Sequence, residues 1–187
     1  LGDATFGRLM DAGDEAAPLY TLATDVLIEL HRTPSGEAVP LGTPVYTDAL
    51  LLTEASLLTE WYLPAVTEVD TQDIVAAAYR DIWEELLLLA PYVPDTLVLR
   101  DFHVDNLMRI AGRDGIAACG LLDFQDAVEG PVSYDFISLV EDARRDVDDG
   151  LRAEMRARYL AAFPALDPAA FDISCVILAA QRHCKVL

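Results

Sequence analysis

Apolar positions recur at helical spacing through most of this chain and shift to a strand-like pattern only in its middle. Residues 4–12 read as a short helix with Phe6, Leu9 and Met10 on one side, closing at Gly13. Pro18 suits a first helical turn, and Leu19, Leu22, Ala23, Val26, Leu27 and Leu30 form the apolar face of a second helix, which stops before Pro34-Ser-Gly36. Residues 34–45 carry three prolines and two glycines and predict a linker. Thr47 is placed to cap a third helix through Leu50, Leu51, Ala55, Leu58 and Trp61, ended by Pro64. A fourth opens at Thr71-Gln72-Asp73, runs through Ile74, Ala78, Ile82, Leu86 and Leu89, and stops at Pro91.

The period then changes. Residues 97–99, 107–111 and 116–122 read as short strands, the last two joined by the turn-forming Gly112-Arg-Asp-Gly115. After Gly130-Pro131 helical spacing returns, over roughly 134–145, 150–163 and 167 to the end, with Asp167 as a cap and Pro168 in the first turn of the last helix. The pattern predicts an α+β domain, mostly α, with a small β-hairpin insertion. No internal repeat or low-complexity stretch interrupts it.

Composition adds three constraints. Hydrophobic residues make up 53% of the 187 positions, enough for a real core and against global disorder. The net charge of −19 argues against a nucleic-acid backbone or an anionic membrane as partner. Cys119, Cys175 and Cys184 are odd in number, far apart and in apolar surroundings, which predicts reduced, buried thiols of a cytoplasmic protein. No apolar run has membrane-spanning length and nothing resembles a signal peptide. The start at Leu1 and the uncapped apolar helix running to Leu187 lead us to expect a piece of a longer protein.

The chemistry concentrates where the period changes. Arg100-Asp-Phe-His-Val-Asp-Asn106 follows the apolar run 97–99, and Asp123-Phe-Gln-Asp126 follows the run 117–122. Two strand ends side by side would bring Asp101, Asn106 and Asp123 into an oxygen-rich site suited to a hard divalent cation and a phosphate. Phosphoryl transfer asks for a carboxylate that orients the acceptor hydroxyl and takes its proton, an Asn five residues on, and a later Asp on the next strand. Asp101, Asn106 and Asp123 have that order and spacing.

Together with Gly130-Pro-Val-Ser-Tyr-Asp135, these stretches resemble the aminoglycoside phosphotransferase and choline kinase family of protein kinase-like folds. Within that family the likeness is greatest to bacterial kinases that phosphorylate the anomeric hydroxyl of N-acetylmuramate and N-acetylglucosamine in cell-wall recycling. It is carried also by Leu57-Leu-Thr-Glu-Trp-Tyr62 and Gln181-Arg-His-Cys-Lys-Val-Leu187. The resemblance spans essentially the whole chain but implies only the C-terminal lobe of such a kinase, with Leu1-Gly-Asp3 just past the hinge between lobes. It implies Asp101 as catalytic base, Asn106 and Asp123 as magnesium ligands handling ATP, and Asp135 as a structural carboxylate bracing the catalytic loop. His103, Asp105, Gln125 and Asp126 are candidates to touch the acceptor, a small-molecule alcohol. Many relatives carry His where this chain has Leu99. The family's glycine-rich loop and phosphate-gripping Lys lie upstream of these motifs, whereas the single lysine, Lys185, follows them. Alone, the 187 residues are therefore expected to be inactive.

Other readings compete. A kinase-like module that binds without turnover would explain Leu99, and a metal-dependent hydrolase could be assembled from Asp101, His103, Asp105 and Asp123. An aminoglycoside or a choline-type alcohol would suit the same base and metal as an amino sugar. His31 and His183 read as structural, Trp61 and Tyr62 as core, and the acidic run at Glu141, Asp142, Asp146, Asp148 and Asp149 as a solvated helix face.

Overall fold

A computed structural model describes residues 4–186. The Leu1-Gly-Asp3 hinge resemblance and Leu187 lie outside the described residues. Helices dominate: α1 (Phe6–Asp11), α2 (Ala16–Arg32), α3 (Ser35–Ala38), α4 (Asp48–Leu57), α5 (Leu63–Thr67), α6 (Asp73–Leu89), α7 (Ser133–Val140), α8 (Asp149–Ala162) and α9 (Pro168–Val186). Four short strands, β1 (Asp95–Val98), β2 (Leu107–Arg109), β3 (Cys119–Leu121) and β4 (Val128–Pro131), form two separate two-stranded sheets. The mostly helical α+β expectation holds.

Antiparallel β2 and β3 form the expected hairpin, with Leu107 opposite Leu121 and Arg109 opposite Cys119. Strand β1 instead pairs antiparallel with β4, Leu97 facing Glu129. The two site-bearing strand ends are thus not neighbours in one sheet, as the sequence had suggested, and β4 was hidden behind its Gly130-Pro131 turn signal. Gly130 is needed there, because a Cβ would stand 2.9 Å from the Cβ of Tyr46, which lies across it.

Two packed clusters hold the domain. The larger joins α1, α2, α7, α8 and the start of α9 around Phe6, Leu27, Phe102, Leu139, Met155 and Phe171. The smaller joins α4, α6, the start of α7 and the middle of α9 around Leu51, Ala55, Trp83, Tyr134 and Leu178. Side chains 102 and 104 of the central loop are core plugs, Phe102 at 2% and Val104 at 1% exposure. Burying such chains contributes on the order of 2 kcal/mol each, which pins the loop between them.

Several local expectations are corrected. Pro64 does not end the third helix. A π-helical turn, Leu58–Tyr62, continues α4 into α5, and Pro64 sits just past that local change of pitch. Trp61 is not core but 72% exposed. On α6 most of the predicted apolar face is the wrong one: Trp83 and Leu87 are buried and the predicted Leu86 packs beside them, while Ile74, Ile82 and Leu89 face out. This helix has apolar residues on both sides, so periodicity alone could not choose between them. Helix α7 ends at Val140 rather than near 145, which lifts Glu141 and Asp142 out of any helix face. Only Cys175 is buried; Cys119 and Cys184 are partly so, and all three are free thiols. Among the described residues no helix is long and apolar enough to cross a membrane.

Candidate functional site

Strand β1 delivers the chain to Leu99 and Arg100, and there α7 takes hold of it. Asp135, in the first turn of α7 and fully buried, accepts hydrogen bonds from the Leu99 N–H at 2.6 Å and the Arg100 N–H at 2.9 Å. Burial lifts the Asp135 carboxyl to about 7, against the pull of those two N–H groups and of Arg182. Arg100 sits at φ +70°, a conformation unfavourable to a side-chain-bearing residue, and Asp135 is what stabilises the turn. The Ser138 hydroxyl, also on α7, donates to the Arg100 carbonyl at 3.3 Å.

Beyond this turn the loop winds tightly. Asp101, His103 and Asn106 are linked by backbone bonds, the His103 N–H to the Asp101 carbonyl at 3.1 Å and the Asn106 N–H to the His103 carbonyl at 2.8 Å. The Asn106 Nδ2 donates to the Asp101 carbonyl at 3.0 Å. The Leu122 N–H donates to the Asn106 carbonyl at 2.9 Å, which ties the end of β3, and so Asp123, to the same loop. Asp123 follows at φ +56° with its carboxylate exposed. Asp101, Asn106 and Asp123, close only in spacing when read as sequence, thus sit on backbone segments bonded to one another.

The flanking candidates divide. Gln125 Nε2 donates to Asp123 Oδ1 at 2.6 Å, steadying that carboxylate, and Asp126 is exposed on the same loop. Asp105 is exposed but leans on α1, where a Cβ at Gly7 would come within 1.9 Å of its Oδ1. His103 is 6% exposed and points inward, its Nε2 3.3 Å from Asn106 Nδ2 and its Nδ1 4.0 Å from Asp142 Oδ2. Burial, with Arg144 and Arg182 nearby, pushes its pKa down against the pull of Asp142 and Asp101.

Asn106 and Asp123 are the pair whose oxygens could hold a hard cation such as magnesium. The Asn106 amide nitrogen is already committed, so its oxygen is left for a ligand. Asp123 keeps the carboxylate oxygen that Gln125 does not use. The hydrolase alternative finds no such support. Asp105 and His103 turn away in different directions, and among the described residues no three His, Cys, Asp or Glu side chains converge as a metal site.

Several contributors escaped the sequence reading. Glu54 of α4 is a buried acceptor for the Arg100 guanidinium and the Tyr46 hydroxyl, with Gln181 Nε2 at 3.4 Å and Lys185 Nζ at 3.4 Å. Its one visible signal is that it is the only charged residue of the Leu50-to-Leu58 run. Arg182 of α9 is 1% exposed, donates from Nε to Ser138 Oγ at 2.8 Å and holds its NH2 3.9 Å from Asp101 Oδ1. Asp142 is buried rather than solvated, with Oδ1 receiving the Arg144 N–H at 3.1 Å. Of the structural histidines, His31 is held by Tyr159 at 2.6 Å, and burial lowers its pKa to about 3, so it carries no charge at the helix end.

The chain is similar to several curated proteins along its whole length. The N-acetylmuramate/N-acetylglucosamine kinase of Caulobacter vibrioides is 36% identical over 194 residues, covering all of this chain and 53% of that protein. The corresponding kinases of Pseudomonas putida and Neisseria meningitidis serogroup B are 33% and 34% identical, again over all of this chain and over 54% and 56% of theirs. The chain therefore spans about half the length of the curated relatives it matches. Residues 4–171, from α1 into the start of α9 and including every loop described above, match the phosphotransferase enzyme family (APH), and the chain belongs to that family.

Proposed function

We propose that this chain is the C-terminal lobe of an ATP-dependent small-molecule kinase whose acceptor is a hydroxyl of an N-acetylated amino sugar. The observation that carries the reading is the bonded linkage of the Asp101, Asn106 and Asp123 segments, with Asn106 Nδ2 on the Asp101 carbonyl and Leu122 N–H on the Asn106 carbonyl. It is supported by family membership and by relatives named as kinases of such sugars.

In this reading Asp101, whose side chain is 37% exposed, receives the acceptor hydroxyl and accepts its proton as the oxygen attacks the γ-phosphorus. The bond from that phosphorus to the bridging oxygen breaks, and ADP leaves. Magnesium supplies charge neutralisation on the phosphate oxygens when bound, and Asn106 and Asp123 are the groups that would hold it. Asp135 and Ser138 keep the Asp101 loop in its turn. Asp126, the exposed Trp61 and the remaining amide oxygen of Gln125 would meet the acceptor. The groups that grip the nucleotide come from outside these 187 residues, since Lys185 is occupied with Glu54. The same reading places the enzyme in the cytoplasm, which the free thiols of Cys119, Cys175 and Cys184 suit.

The test is turnover by the full-length protein with ATP against N-acetylmuramate, N-acetylglucosamine, choline and an aminoglycoside. Phosphorylation of the two acetylated sugars is expected, together with loss of at least about 1,000-fold in kcat for Asp101→Ala at an unchanged melting temperature. Preference for choline or the aminoglycoside would move the acceptor assignment. Undiminished turnover by Asp101→Ala would end the assignment of the base.

A further inference from the structure

Asn106 Nδ2 lies 3.0 Å from the Asp101 carbonyl oxygen. A carbonyl only accepts, so the atom facing it must be the amide nitrogen; the flipped amide would set two acceptors against each other. That same nitrogen lies 3.3 Å from His103 Nε2. A nitrogen donating to Nε2 requires Nε2 to be bare, and a neutral imidazole with a bare Nε2 carries its proton on Nδ1. His103 Nδ1 in turn faces Asp142 Oδ2 across 4.0 Å, and both atoms are buried with no other hydrogen-bond partner. The other carboxylate oxygen, Oδ1, is fixed by the Arg144 N–H at 3.1 Å and its guanidinium at 3.3 Å. About 1 Å of side-chain movement would close the gap into an ordinary hydrogen bond.

We infer that Asp142, His103 and Asn106 form a relay of positioning residues, in which Asp142 fixes the Nδ1–H tautomer of His103 and His103 fixes the second amide hydrogen of Asn106. With both hydrogens committed, Oδ1 is the only face Asn106 can present, and it presents it as a metal ligand. This reassigns His103 from the acceptor to the support of the metal, and gives Asp142 a task. Such supporting partners orient a ligand without touching the cation, and losing one typically weakens metal use about 10-fold or more. The metal half of the inference rests on the function proposed above; the tautomer does not.

Two measurements on the full-length protein separate these parts. In spectra of protein labelled with 15N-histidine, the His103 signal is identified by its disappearance in His103→Gln. The relay requires Nδ1 protonated and Nε2 bare, and an Nε2–H ring would overturn it. In steady-state assays, Asp142→Asn and His103→Gln are each expected to raise the Mg2+ concentration for half-maximal rate about 10-fold, with the acceptor KM held within about twofold. Asp142→Asn is isosteric and guards against a folding failure of the histidine variant. A raised acceptor KM with unchanged Mg2+ dependence would make His103 a substrate contact and sink the relay. If Asp101→Ala also turned over normally, the proposed function would fail while the tautomer result stood by itself.

Discussion

Asp135 shows how one side chain shapes the loop and how that can be tested by pH. Its two oxygens take the Leu99 and Arg100 N–H groups, yet its complete burial raises its pKa from 3.8 to about 7. Between those values the folded protein holds a proton that the unfolded chain has released. Stability contributed by this group is therefore fully present below about pH 4 and is lost as pH rises towards 7. Asp135→Asn cannot titrate, so the stability difference between wild type and variant should shift against the wild type over that window and level off above it. Urea unfolding of both proteins across the window gives the answer. A difference that does not change with pH would mean that the two N–H groups and Arg182 keep the carboxylate ionised throughout. At the same scale, Arg182 bears on Asp101 and Asp135 together, with NH1 and NH2 buried and without hydrogen-bond partners. Arg182→Met is expected to cut kcat of the full-length enzyme at least about 10-fold with little change in acceptor KM, and Arg182→Lys to restore part of it.

Among the elements, α4 and α9 do more for the loop than their apolar packing suggests. Glu54 on α4 gathers Arg100, Tyr46, Gln181 and Lys185, so the residue just before Asp101 is tied to two helices at once. Glu54 and Arg100 are largely buried, at 8% and 20% side-chain exposure, so removing one partner strands the other. Glu54→Gln is expected to destabilise the protein by about 3 kcal/mol, read from denaturant unfolding, far more than a surface pair would cost. What could be read in advance divides along the same line. The β2–β3 hairpin and the Asp101-to-Asn106 spacing are local, written into a turn and a five-residue interval. The β1–β4 pairing, the Glu54 bond to Arg100 and the Asp142 contact join residues thirty or more positions apart, and no local period records them. The π-helical turn escaped for another reason: Pro64 is a stop signal in general, but here the helix changes pitch at Leu58–Tyr62 and runs on past it.

For the whole molecule the charge balance decides. Against 32 acidic residues stand 13 basic ones, and the arginines are largely committed to particular carboxylates. Arg158 clasps Asp25 at 2.6 and 2.8 Å, Arg156 clasps Asp172 at 2.6 Å on both arms, and Arg145 reaches Asp11 at 2.5 Å. These pairs fasten α8 to α2 and to α9, and the loop before α8 to α1. The surplus of carboxylates has no cation to meet and repels over longer distances. Salt acts unequally on the two effects, because repulsion across a Debye length of about 10 Å is screened far more than a bidentate pair at contact. Screening should therefore favour the fold. Raising sodium chloride from roughly 20 mM to roughly 500 mM is expected to lift the melting temperature by a few degrees, most of it within the first 150 mM or so. A fall in melting temperature over the same range would mean that the arginine clasps outweigh the repulsion. In that event Arg158→Ala should abolish the salt effect between α2 and α8, whereas under repulsion it should make salt more stabilising still.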